Sequence, residues 1–131
     1  MIANLRKYWK SIVWAIVILI LCGLPGNEVS KVKFIDIPYF DKFVHLSLYL
    51  VFTLLLISDN NSKRKSNEVS VKAIILATIA AIIYGILIEV LQKYLFINRG
   101  AEIWDEVANT LGVLIAIFCY RWINRITDGY L

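Results

Sequence analysis

The sequence predicts an all-α membrane protein, with four transmembrane helices in a small bundle and both termini cytoplasmic. Two observations predict the class, and a third predicts the orientation. Hydrophobic residues make up 60% of the 131 residues, at a mean hydropathy of +0.70. Soluble domains carry roughly 45–50%. A core this small cannot hide the excess, because short chains bury a limited share of their surface, so the solvent for much of the chain must be lipid. Four apolar stretches approach the roughly 17–25 residues needed to cross a hydrocarbon layer about 30 Å thick. Lys and Arg punctuate these stretches instead of clustering, which makes them orientation signals and gives no footprint for nucleic acid. Residues 1–131 are expected to form a single transmembrane domain.

The first span is placed at residues 8–24, "YWKSIVWAIVILILCGL", closed by Pro25 and Gly26, which end helices well. Arg6, Lys7 and Lys10 ahead of an apolar run look like a signal peptide. Three further spans follow, so the segment is expected to remain as an anchor. The second span, 40–57, "FDKFVHLSLYLVFTLLLI", begins just after Pro38. The third, 71–96, carries no charge from Ala73 to Ile88, and the fourth occupies 103–120.

Orientation follows from the basic residues near the span ends. Arg6, Lys7, Lys10, Lys63, Arg64, Lys65, Lys72, Arg121 and Arg125 fall on one side, and Lys31, Lys33, Lys42, Lys93 and Arg99 on the other. The richer side is assigned to the cytoplasm. Tyr8, Trp9, Tyr120 and Trp122 would then mark the inner interface, and Tyr39, Tyr94 and Trp104 the outer one. Cys22 and Cys119 are expected near opposite faces, too far apart for a disulfide.

With that topology, His45, Glu89 and Asn109 lie at one depth, roughly 8–10 Å inside the outer ends of three helices at 1.5 Å per residue. Asp41 and His45 are four residues apart, Glu89 and Gln92 three apart, and Asp105, Asn109, Gly112 and Ala116 run down one stripe. Ionisable groups inside a membrane usually face a bundle interior or a wet cavity, so the three polar faces are expected to meet. The plainer alternative is that these residues only glue helices together, at about 0.6–2 kcal/mol per hydrogen bond. Glu106, off the Asp105 stripe, is expected to be solvated. No comparable polar set is expected at the opposite side.

Three segments carry a family resemblance. "PYFDKFVHLSLY" resembles the P-x-x-D-K-x-x-H segment of the VanZ-like family of bacterial membrane proteins. "GILIEVLQ" is similar to its E-x-x-Q helix, and "NRGAEIWDEVANTLG" to its R-x(5)-D-x-x-x-N-x-x-G segment. Order and spacing are kept across nearly the whole chain. The resemblance implies an association with low-level resistance to teicoplanin, a glycopeptide that acts outside the membrane. It carries over Asp41, Lys42, His45, Glu89, Gln92, Arg99, Asp105 and Asn109 as ligand-binding positions.

The reading taken is an outward-facing polar pocket, with Lys42 and Arg99 gripping an anionic lipid headgroup, a cell-wall precursor or a glycopeptide. An alternative is an enzyme acting on a lipid headgroup. His45 oriented by Asp41 would then be the base and Glu89 the acid, although no nucleophile is well placed. A third is a structural or scaffolding role, with oligomers allowed. No cofactor is expected and no named metal motif is present, although Asp41, Glu89 and Asp105 with His45 would make an oxygen-rich donor set.

Overall fold

The computed structural model describes residues 6–24, 39–61, 70–95 and 102–126. Four α-helices follow in order: α1 at Trp9–Gly23, α2 at Phe40–Asn61, α3 at Val71–Tyr94 and α4 at Ile103–Ile126. No strand occurs among the described residues. Three helices, α2, α3 and the stretch Ile103–Tyr120 of α4, are long and apolar enough to cross a membrane. α1 is apolar from Ile12 onward but has only 15 residues, about 22 Å at 1.5 Å per residue. The chain is a multi-pass membrane protein. Its outward-turned side chains, Ile16, Ile83 and Phe118 among them, are large and apolar, suited to contact with lipid.

Contacts between helix ends define the packing. Ser11 at the start of α1 meets Asp59 at the end of α2, and Cys22 at the end of α1 meets Gln92 at the end of α3. His45 at the start of α2 meets Asn109 in the second turn of α4. The helices therefore alternate in direction, with α2 and α4 parallel to each other. That pair shares the most extensive interface in the molecule.

Small residues make the close approaches. α3 buries Ala73, Ala77, Ala81 and Gly85 at intervals of four, then Ile88, Glu89 and Gln92. Such a stripe lets neighbouring backbones come close where lipid supplies no hydrophobic drive between helices. Gly112 on α4 is tighter still. A Cβ there would collide with the backbone carbonyl of Leu46 and lie 3.0 Å from the backbone nitrogen of Leu50. Tyr49, Ile57, Ile88, Val113, Ala116 and Tyr120 fill the space between.

α1 is tied on by polar bonds to backbone carbonyls. Trp14 Nε1 donates to Leu48 O at 3.0 Å, Tyr84 OH to Ala15 O at 2.7 Å and Gln92 Nε2 to Cys22 O at 3.1 Å. With no water competing in hydrocarbon, such bonds orient a helix too short to be held by its length. α2 runs four residues past the expected end at 57, and the reason lies on α1. Asp59, buried, accepts from Ser11 Oγ at 2.6 Å and Ser11 N at 3.3 Å. Asn60 accepts from Tyr8 OH at 2.7 Å. The Asp59 carboxylate thus takes an amide of the first turn of α1, where such groups have no partner in their own helix. The expectation that the end remote from His45 lacks a buried polar set is corrected by this cluster.

Gly112→Ala is expected to destabilise the bundle by about 1–3 kcal/mol, the usual cost of overpacking, because the obstacle is backbone. Gly85→Ala should cost far less, since its nearest obstacle is the flexible end of Glu106. Thermal unfolding of both variants in detergent checks the order; equal losses would contradict it.

Candidate functional site: a carboxylate-rich cluster at one end of the bundle

Three helices supply the cluster. Asp41, Lys42 and His45 come from the first turns of α2, Glu89 and Gln92 from the last turns of α3, and Asp105, Glu106 and Asn109 from the start of α4. Glu102 immediately precedes α4. Parallel packing of α2 and α4, with α3 antiparallel to both, delivers all of them to one end.

Asn109 is 1% exposed and stands at the centre. Its Nδ2 donates to Glu106 Oε2 at 3.1 Å, and its Oδ1 lies 3.0 Å from His45 Nδ1. The roles follow from donor chemistry. A carboxylate accepts, which turns the Asn109 nitrogen toward Glu106 and its oxygen toward His45. An amide oxygen also accepts, so His45 Nδ1 must carry the hydrogen. In the neutral form of the ring the lone pair is then on Nε2. That atom faces Asp105 Oδ2 at 3.9 Å, too far for a hydrogen bond.

Lys42 is used inward. Its Nζ donates to Asp41 Oδ2 at 2.6 Å, Glu102 Oε2 at 2.5 Å and Asp105 Oδ1 at 2.6 Å. An ammonium has three donors, and all three are taken. The expected grip of Lys42 on an anion therefore finds no free donor in this arrangement. Arg99, the second expected cation, lies outside the described residues, as do Pro25, Gly26, Pro38 and the loop segment 62–69.

Glu89 divides its oxygens. Oε2 accepts from the backbone nitrogen of Glu102 at 3.2 Å, at the entry to α4, where helix amides lack partners and negative charge is favoured. Oε1 is buried and receives no hydrogen bond. Donor atoms of His45, Glu89 and Asp105 all lie within 4.8 Å of one another, and all three residues are buried. Gln92 is drawn elsewhere, its Nε2 spent on Cys22 O while its buried Oε1 stays unpaired.

Two expectations change. Asp41 does not orient His45: its side chain is half exposed, at 52%, and bound to Lys42, while His45 turns to Asn109 and Asp105. Glu106 is not merely solvated. It is half buried, takes the Asn109 amide and rests its carboxylate over Gly85. Glu102 was not singled out either. Both belong to helical pairs with expected residues, three positions from Asn109 and Asp105 respectively, and that spacing was the available signal.

Beside the cluster a cleft of about 230 Å³ opens between α3 and α4. Ile86, Val90 and Ile103 form its greasy wall, and Glu89, Glu102 and Glu106 its polar one, with Lys93 at the edge. The three apolar residues are all broadly exposed on the lipid-facing surface.

A double-mutant cycle on His45 and Asn109 is expected to give a coupling of about 0.6–2 kcal/mol, the range for hydrogen bonds between membrane helices. Lys42→Gln should cost more than either single substitution at that pair, about 1.5–3 kcal/mol, because bonds to charged partners are the stronger ones. Unfolding in mixed micelles measures both; a coupling near zero would contradict the paired geometry.

No curated protein and no solved structure matches the chain. A family model described as VanZ/LLP1 matches residues 2–124, which takes in all four helices but the last turn of α4. The order of the motifs, the membrane-spanning helices and that match lead to one statement: the chain belongs to the VanZ/LLP1 family.

Proposed function

We propose that this protein is a membrane-embedded binding module that holds the polar end of a cell-envelope amphiphile in the cleft between α3 and α4. The observation that carries the reading is the composition of that cleft, a greasy wall open to lipid against three glutamates. Three glutamates outnumber the single lysine, Lys93, in its lining. Glu89 Oε1 is unpaired, whereas Lys42 has no donor to spare. The chemistry favours a ligand rich in N–H or O–H groups, such as an aminoalkyl headgroup, a sugar-bearing wall precursor or the amine and hydroxyl face of a lipid-tailed glycopeptide. An anion gripped by Lys42 is disfavoured.

The positive-inside distribution of Lys and Arg supports placing this end at the outer face of a bacterial inner membrane. Capture of a glycopeptide or its precursor target there would connect the protein to antibiotic resistance, and capture of a native lipid to envelope maintenance. The Asp41–His45 dyad required by the catalytic alternative is not formed, and Ser47 Oγ is spent on Phe43 O at 2.8 Å. The binding reading therefore stands ahead of the enzymatic one.

The test is lipid selectivity. Native mass spectrometry of the protein in nanodiscs of mixed amine-bearing and choline-bearing lipids should show preferential retention of the amine headgroup. Glu102→Gln with Glu106→Gln should abolish the preference while the chain stays folded. Equal retention of both headgroups by the unsubstituted protein would refute the reading.

A further inference from the structure

We infer that His45, Glu89 and Asp105 form a site for a single divalent transition cation, of the manganese or zinc type, at the inner end of the cleft. The inference rests on the headgroup reading only for the purpose the ion would serve; the site itself is argued from geometry alone.

Four observations converge. The relay from Glu106 through Asn109 places hydrogen on His45 Nδ1 and leaves a lone pair on Nε2. Orienting a ligand imidazole through its other ring nitrogen is how metal sites set their donors. Lys42 takes Asp105 Oδ1, which leaves Oδ2 turned toward Nε2 at 3.9 Å. Glu89, 9% exposed, has a buried Oε1 with no hydrogen-bond partner, and its carboxylate lies within 4.8 Å of the other two donors. Two carboxylates and an imidazole nitrogen thus face one another, all buried, with no protein donor between them among the described residues.

Spacing fits one ion after a small closure. Donors bound at about 2.0–2.2 Å lie up to about 4 Å apart across the metal. The 3.9 Å separation of His45 and Asp105 is within that reach, and a rotation of the Glu89 carboxylate brings in the third donor. The second carboxylate group, Asp41, Glu102 and Asp105, is a different case, since Lys42 Nζ already occupies its centre. A nitrogen donor among oxygens selects against calcium and magnesium, which take oxygen alone, and toward manganese or zinc. Three protein donors leave coordination positions for a headgroup oxygen, so the ion would supply the electropositive contact that Lys42 cannot.

His45 is the sole histidine of the chain, which allows a test without mutation. Protein prepared with a tag that contains no histidine is dialysed against Mn²⁺ or Zn²⁺ in detergent, and bound metal is counted. One ion per chain is expected, and the Mn²⁺ form should show electron spin-echo modulation from a single imidazole nitrogen. Glu89→Gln and Asp105→Asn should each weaken binding at least about tenfold, the scale of losing a metal-site partner. If either variant misfolds, the nitrogen signature of the unsubstituted protein decides alone. No ion held by folded protein at millimolar metal, an ion without nitrogen modulation, or binding indifferent to both substitutions would each overturn the site. Headgroup selectivity in a protein that binds no ion would sink this inference and leave the binding reading intact. A bound ion without headgroup selectivity would do the reverse.

Discussion

A polar side chain buried in hydrocarbon is stabilised by another side chain or by backbone, because no water is available to do it. The bundle follows from that constraint. Asn109, 1% exposed, can meet its needs only from Glu106 on its own helix and His45 on α2. Satisfying it brings α2 and α4 together in parallel, and Gly112, one turn further along α4, lets their backbones close up. Asp59 does the same at the other end by taking Ser11 on α1. Polar residues choose the neighbours, and small residues set how near the neighbours come.

The same accounting decides what the cluster offers a ligand. Lys42 is the described cation nearest the centre, and three carboxylates exhaust it. What remains is acceptor capacity: the second oxygen of Glu89, the lone pair on His45 Nε2 and the oxygen of Gln92. That balance is what the proposed amine- and hydroxyl-rich ligand, or a metal ion, would use. The opening beside it faces lipid, so a ligand would come from within the membrane plane.

Much of the fold was legible because membrane helices announce themselves by length and composition. The four helices, three of them long enough to cross a membrane, fall where apolar runs predict them, and spacings of three and four gather Glu89 with Gln92 and Asp105 with Asn109 on shared faces. The stripe Ala73, Ala77, Ala81 and Gly85 was equally readable from its spacing of four. Pairing across helices was harder to see. Asp41 and His45 share a face of α2, but Lys42, one residue along, is long enough to swing three carboxylates onto itself, and no spacing rule on one helix reveals that. Glu106 was misjudged for a related reason. Its place off the Asp105 stripe suggested water, and the absence of a side chain at Gly85 on α3 made room for it. The extension of α2 through Asn61 depended on partners on α1, more than forty residues away in sequence.

The account rests on α2 and α4 meeting through the imidazole of His45, and dipolar recoupling in lipid bilayers measures that meeting. With the ring nitrogens of the sole histidine labelled ¹⁵N and asparagine side chains labelled ¹³C, Nδ1 should lie no more than about 4.2 Å from the Asn109 carbonyl carbon. That limit is the 3.0 Å contact plus a carbonyl bond of about 1.2 Å. A clear coupling at that distance, lost on replacing Asn109, is the predicted result. An imidazole with no asparagine carbon within reach would mean that the helices do not turn these faces together.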